Sequence, residues 1–350
     1  MKTYVIAEMA WSHTGSLGKA IEMLEGATES GADAISIHIT DMPTYMTKDY
    51  KCIAGTTLSD SADETLSIYD FLVSINLSDD DWKRFSCRAD ELNIDLVVMC
   101  NDQQSFEFSK KINVKKYVVS AASFLELDLI ENIIRYNNDI ILRTGGATID
   151  EIDTVLEHIY KIDDLSRVCL LAGIQLYPTP IDNMHIRSLR KIHDRYTRSG
   201  FSLGLADHID GDHPYAQYLP AISLALGATV IEKHITTDRK DKLEDYEAAL
   251  GIDQFKIFVN YIREAEKALG DSSLKYMNDN ESYKKYRLVG RKKIVASRKL
   301  KAGEAITRDM ISFKRADFGA QLENIKRFIG KKLLIDREVD EAIDVEHLEI

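Results

Sequence analysis

The chain has 350 residues, 45% of them apolar, and a formal net charge of −12. That length exceeds one ordinary domain and supplies material for a full core, so a large domain followed by a smaller one is expected. The acidity argues against nucleic acid as a partner, since phosphate binding needs a basic surface, and no run approaches the roughly 20 apolar residues that cross a bilayer.

From the N-terminus to about residue 270, short β-branched runs alternate with amphipathic segments. The expected strands are 4–8, 34–39, 96–100, 117–121, 140–144, 168–173, 202–206 and 229–234. Expected helices lie between and after them at 17–30, 79–91, 125–135, 149–160, 184–195, 215–226 and 252–269. A strand followed each time by a helix means parallel pairing through right-handed crossovers. Eight such units close more naturally into a (β/α)8 TIM barrel than into an open sheet. No Gly-x-Gly-x-x-Gly follows any strand, which weakens a dinucleotide-binding alternative. Residues 41–78, rich in Thr, Asp, Ser and Tyr, read as an extended loop at the active face.

Past the barrel domain, 1–270, a polar linker is expected over 271–289. Residues 290–350 then read as a compact β-rich domain, with a strand, a turn at Ala302-Gly303-Glu304, and a short helical turn after Thr307. The opening Met-Lys-Thr-Tyr-Val-Ile-Ala-Glu carries an acid within its apolar run and no secretory cleavage pattern, so a cytoplasmic location is expected. Cys52, Cys87, Cys100 and Cys169 show neither zinc spacing nor a disulfide framework.

Two histidines carry the chemistry. His208, in Ala206-Asp207-His208, and His234, in Glu232-Lys233-His234, each follow a short apolar run that reads as a buried strand. Side chains just past barrel strand ends converge on one face, where two imidazoles can share a divalent metal and leave positions open for substrate oxygens. Either histidine alone reads better as a structural one.

Several stretches together resemble the sialic acid synthase family, whose members make nonulosonic acids. They are Ala7-Glu8-Met9-Ala10-Trp11-Ser12-His13, Gly31-Ala32-Asp33, Arg143-Thr144-Gly145-Gly146-Ala147-Thr148, Tyr177-Pro178, Ala206-Asp207-His208 and Glu232-Lys233-His234, with Ala302-Gly303-Glu304 and Phe313-Lys314-Arg315 in the second domain. The resemblance spans nearly the whole chain and implies a barrel followed by an antifreeze-like (SAF) domain. It implies condensation of phosphoenolpyruvate with an N-acylated hexosamine. His208 and His234 fall on the family's ligands for manganese or magnesium, and Glu8 on a carboxylate near the sugar or a metal-bound water. Tyr177 and Asp245 fall on sugar contacts, with Asp207 beside them. Arg315 falls on an arginine that a partner subunit inserts, which implies a domain-swapped homodimer. Bland readings stand beside these: Glu8 pairing Lys233, Tyr177 as packing, Arg315 as surface charge.

The departures from the family pattern fall on the donor side. The lysine expected on the second strand is replaced within Ser36-Ile37-His38, and the lysine on the fourth by Val118. Gln175-Leu176 replaces Ser-Asn, and Ala206 replaces a serine. Desolvating a trianionic donor without cations is costly. Arg143, where the family has serine, restores one charge if it turns inward; turned outward it is a residue at a helix start. His38 is either a new polar contact, a third metal neighbour, or part of the barrel wall. Three functions follow: a synthase using phosphoenolpyruvate or a replacement donor, a metal-dependent sugar enzyme of another reaction, or a non-catalytic sugar-binding homologue.

Overall fold

A computed structural model describes residues 2–50, 67–136, 139–196, 200–270 and 273–349. Its contacts divide the chain into two units, Met1–Gly270 and Asp271–Ile350.

In the first unit eight strands pair in parallel: β1 Tyr4–Glu8, β2 Ala34–Ile39, β3 Asp95–Cys100, β4 Lys116–Val119, β5 Asp139–Arg143, β6 Val168–Ala172, β7 Ser202–Asp207 and β8 Val230–Thr236. β8 closes on β1, with Tyr4 opposite Val230 and Glu8 opposite His234. The sheet is a closed barrel, as expected. A two-residue extension, β9 Leu250–Gly251, adds to β8.

Because successive strand residues face opposite sides, the buried apolar residues form two separate clusters. Ile6, Ala34, Val97, Met99, Val118, Ile141, Cys169, Leu171, Ala206 and Val230 fill the interior. Val5, Ala7, Ile35, Ile37, Val98, Val119 and Leu142 pack outward against the helices. The same parity turns Glu8, His38, Arg143, His208, Glu232 and His234 inward at the strands' C-terminal ends.

Helices begin where short polar side chains cap free backbone N–H groups. Ser16, Ser78 and Asp102 cap Leu17–Glu29, Asp79–Leu92 and Gln103–Ser109. Thr148 and Glu151 cap Ile149–Tyr160 reciprocally, with Thr148 N–H donating to Glu151 at 2.7 Å.

Two expected helices are shorter than their apolar pattern. The 184–195 segment becomes helical only at Ser188–Tyr196, and 215–226 yields a 3-10 helix over Leu219–Leu226. Pro220 has no N–H to give, and Gly227 ends the element in the left-handed region at φ 103°. Within 41–78, helices Met42–Tyr45 and Ile68–Ile75 pack on Trp11 in a satellite cluster. The remainder of that loop, 51–66 with Cys52, lies outside the described residues. Among the described residues no helix is long and apolar enough to cross a membrane.

The second unit holds β10 Lys292–Ala296 antiparallel to β11 Ile311–Arg315. Its core is Ile294, Leu300, Ile306, Ile311, Phe328, Leu333, Ile343 and Leu348. Gly303 takes φ 89° at the expected turn, where only glycine is unstrained. The stretch expected as a plain linker instead carries helices Tyr276–Asp279 and Glu281–Val289.

On the barrel's outer side, Lys233 Nζ donates to Asp207 at 2.7 Å and to the Ile209 carbonyl at 3.1 Å, with both charged side chains wholly buried. Removing one partner strands the other charge in a dry interior. Asp207→Ala should therefore destabilise the protein by about 3–5 kcal/mol, read as a lower urea midpoint. The double variant Asp207→Leu/Lys233→Met should recover most of that loss.

Candidate active site

His208 sits one residue beyond β7, and its Nδ1 lies 2.7 Å from the Ile174 carbonyl. A carbonyl only accepts, so Nδ1 carries the proton and Nε2 presents a lone pair. That Nε2 is buried and has no hydrogen-bond partner, and neither ring nitrogen of His234 has one. The two ring centroids are 5.3 Å apart. Tyr177 packs against both, at 4.4 Å from His208 and 5.4 Å from His234, and its hydroxyl donates to Gln175 at 2.6 Å. Burial, with Arg143 nearby, pushes the His208 pKa down to about 3. Burial, and after it the neighbouring His208 ring, hold His234 well below the ordinary imidazole value. Both rings are therefore neutral at physiological pH, the form that binds metal.

Glu8 ends β1 with no solvent exposure. The Ala10 N–H donates to its Oε1 at 2.8 Å, made possible by Ala10 turning back at φ 46°. Arg143 Nη2 donates to Oε2 at 3.1 Å, and His38 Nε2 lies 3.3 Å from Oε1. Burial alone would raise this carboxyl's pKa, but His38 and Arg143 outweigh it and hold Glu8 ionised. The same Nη2 donates to Glu232 Oε1 at 2.6 Å, leaving Glu232 Oε2 buried without a partner. Burial, with Glu8 adding to it, lifts Glu232 to about 7. Asp245 stands in the left-handed region at φ 62° on the loop after β8, and burial raises it to about 6.

The structure thus brings Glu8, His38, Arg143, Tyr177, His208, His234 and Asp245 together. Arg143 turns inward, and Glu8 pairs with it rather than with Lys233. Asp207 is a correction: adjacent strand residues face opposite ways, so with His208 inward it faces the helix layer and pairs with Lys233. Arg315 is exposed at the end of β11 in the other unit. Cys100 is buried, its thiol pushed up to about 12 by that burial, and is inert.

Two residues that shape the site lack a sequence expectation. Glu232 was detectable, because it lies two residues before His234 on one strand and so shares its face. Arg239 had no signal. Its Nη1 donates to the carbonyls of Tyr246, Glu247 (3.3 Å) and Ala249 (2.5 Å), and its Nε donates to Asp212 at 3.0 Å. The Gly211 N–H adds a bond to the Glu247 carbonyl at 2.7 Å. Arg239 therefore ties the segment after His208 to the loop that carries Asp245. A side chain at Gly211 would come within 2.1 Å of the Ala249 carbonyl.

Among the described residues no group of three or more His, Cys, Asp and Glu is arranged to hold a metal ion. The donors that an ion would find here are the unpartnered ring nitrogens of two neighbouring imidazoles, His208 and His234, with water or substrate needed at its other positions.

The model of the NeuB family matches residues 23–274, and that of the SAF domain matches residues 291–349. The chain belongs to the NeuB family. It is 26% identical to N,N'-diacetyllegionaminic acid synthase of Campylobacter jejuni over 98% of this chain and 99% of that one. It is 27% identical to a pseudaminic acid synthase of the same species over 98% and 95%. Among solved structures, a putative spore coat polysaccharide biosynthesis protein E from Chromobacterium violaceum shares the fold at TM-score 0.81, 19% identity and full coverage of both chains. Membership of the family accords with an enzyme of nonulosonic acid synthesis, the activity named for several relatives.

Replacing Arg239 by Gln should loosen two loops at once. Hydrogen exchange should accelerate in residues 208–213 and 244–249 and stay unchanged in helix Leu17–Glu29. The loss in global stability should be about 1–3 kcal/mol, the cost of carbonyls left without a donor.

Proposed function

We propose that this protein joins a three-carbon donor to the aldehyde carbon of an N-acyl sugar, forming a C–C bond in nonulosonic or related sugar-acid synthesis. The observation that carries this reading is the pair of neutral, buried imidazoles with unpartnered nitrogens beside the ionised Glu8. His208 and His234 would hold a divalent ion, manganese or magnesium. That ion, when bound, supplies Lewis-acid polarisation of the aldehyde carbonyl.

The chain's own residues account for the remaining work. Glu8, fixed by the Ala10 N–H and the Arg143 guanidinium, stays ionised and sets a fixed negative charge beside the reacting centre, while Glu232, whose Oε2 is buried without a partner, is the carboxyl placed to hold and pass a proton. Tyr177 closes over both histidines, where it excludes water and offers a ring to the sugar. Asp245, carried by the loop that Arg239 ties down, orients sugar hydroxyls. Arg315 serves the N-acyl group from a second copy of the chain; its exposure on β11 supports a contact outside its own fold. The assembly is then a domain-swapped homodimer of a cytoplasmic enzyme.

A second reading, a metal-dependent sugar enzyme of the aldol-cleavage type, is favoured by the apolar Met99 and Val118 on the inner wall.

His208→Ala and His234→Ala should each weaken Mn2+ binding by about 100-fold or more, about 2.7 kcal/mol, in calorimetric titration. Both variants should also lose condensation product when N-acyl hexosamines, a three-carbon donor and Mn2+ are supplied and the mixture is followed by mass spectrometry. Mn2+ affinity unchanged in both variants would refute the assignment.

A further inference from the structure

We infer, building on the synthase reading above, that His38 is the general acid of the condensation. Its imidazolium, held against Glu8, gives a proton from Nδ1 to the aldehyde oxygen of the sugar as the C–C bond forms.

Joining a carbon to an aldehyde carbon turns the carbonyl oxygen into an alkoxide, which needs a proton where the sugar binds. Few groups at the mouth can supply one. Glu8 is ionised and has none to give. The proton of His208 sits on Nδ1, committed to the Ile174 carbonyl, and a neutral imidazole such as His234 is no acid near neutral pH. Tyr177 donates to Gln175, and burial pushes its hydroxyl above the ordinary phenol value. Asp245, raised to about 6, is largely ionised at neutral pH. Glu232 holds a proton up to about 7 but lies one layer deeper, opposite Ile6, where Glu8 is opposite His234.

His38 lies one layer nearer the rim. On β2, Ser36 is opposite Glu8, and His38 follows two residues later on the same inward face. Tyr177 and Asp245, assigned above to the sugar, stand on loops beyond the strands at that same end. The His38 side chain is 14% exposed while Glu8 is wholly buried, so a ligand entering the mouth meets the imidazole first. Its Nε2 lies 3.3 Å from Glu8 Oε1, and its Nδ1 is buried without a hydrogen-bond partner. The Trp11 ring packs against the imidazole with centroids 5.9 Å apart and planes at 90°, which fixes the plane of the imidazole. A carboxylate at one ring nitrogen with the other left free is the arrangement that orients a catalytic imidazole and stabilises its charged form. Among the described residues, the other titratable groups bearing on His38 are His13 after β1, Glu232 on β8 and Asp245 beyond it. Its neighbour on β3 is the uncharged Met99.

The step balances. The donor carbon supplies the electron pair of the new C–C bond, the carbonyl π pair moves to oxygen, and that oxygen takes the Nδ1 proton to become an alcohol. His38 is left neutral beside an unchanged Glu8 and regains its proton from water. Nothing is oxidised or reduced.

The test supplies the full chain with Mn2+, N-acetylhexosamines, and phosphoenolpyruvate or pyruvate, with product followed by mass spectrometry and binding by calorimetry. In the unaltered protein kcat/KM should fall as pH rises, because the acid must carry its proton. His38→Gln should lower kcat by about 100-fold or more, abolish that alkaline fall, and leave Mn2+ and sugar binding unchanged. Added imidazole should restore part of the activity of His38→Ala, in proportion to its protonated fraction. An alkaline fall that persists in His38→Gln, a raised KM with kcat kept, or no alkaline fall in the unaltered protein overturns the inference. Mn2+ binding weakened by about tenfold or more in folded His38→Gln would make the ring a metal ligand and overturn it too. If neither His38 variant folds, as judged by circular dichroism, Glu232→Gln decides: the alkaline fall should persist there, and its loss would assign the proton to Glu232. Product formed at full rate by His38→Gln overturns the inference and leaves the synthase reading standing. No product from the unaltered protein with any of these probes overturns both.

Discussion

The barrel mouth depends on one guanidinium between two carboxylates. Glu8 and Glu232 sit on neighbouring strands β1 and β8, both point inward, and both are removed from water. Two such carboxylates without a cation would repel and desolvate at once, and the usual escape is protonation. Arg143, reaching from β5, donates from a single nitrogen to both. The shared donor does not serve them equally. Glu8 gains further support from a backbone N–H and from His38 and remains charged, while Glu232 keeps an unpartnered oxygen and holds its proton up to about pH 7. Similar side chains thereby take different roles because their surroundings differ.

That interaction also sets the state of the histidines. A guanidinium buried nearby disfavours positive charge on His208 and His234, on top of the cost that burial already imposes. The outward Lys233 acts in the same direction although it faces the helix layer. The imidazoles are consequently lone-pair donors rather than cations. The Ile174 carbonyl determines which nitrogen of His208 is free, so tautomer and protonation state are both dictated by neighbours that never touch a ligand.

Much of this was legible in the sequence, and the reasons are local. β1 and β2 run 4–8 and 34–39 as expected, since each is a short apolar run interrupted by polar residues at both ends. Helix Ile149–Tyr160 begins and ends as expected because Thr148 and Glu151 spell out a reciprocal cap. The two histidines were readable because strand ends in a closed parallel barrel must converge. Asp207 was misassigned by neglect of strand parity, since neighbours in a strand cannot both face the site. Glu232 was missed for the same reason in reverse, being two residues from His234. The apolar 215–226 segment misled because periodicity does not register what Pro220 removes from the backbone ladder.

What no pattern could supply is contact between distant segments. Arg143 meets Glu8 across 135 residues and Glu232 across 89, and Arg239 reaches carbonyls whose identity as side chains is irrelevant. A carbonyl acceptor leaves no mark in the sequence, so an arginine that organises a loop looks like any surface arginine until the chain is folded. The inward turn of Arg143 is decided by the same closure: on β5 the alternation from Ile141 through Leu142 leaves residue 143 on the interior side, where the carboxylates of β1 and β8 are already committed. The substitution that looked like an isolated departure from the family pattern is thus coupled to two acids of the mouth. A guanidinium bonded to two buried carboxylates has much of its charge offset before any ligand arrives, so its place in the mouth is first of all to keep those two acids together.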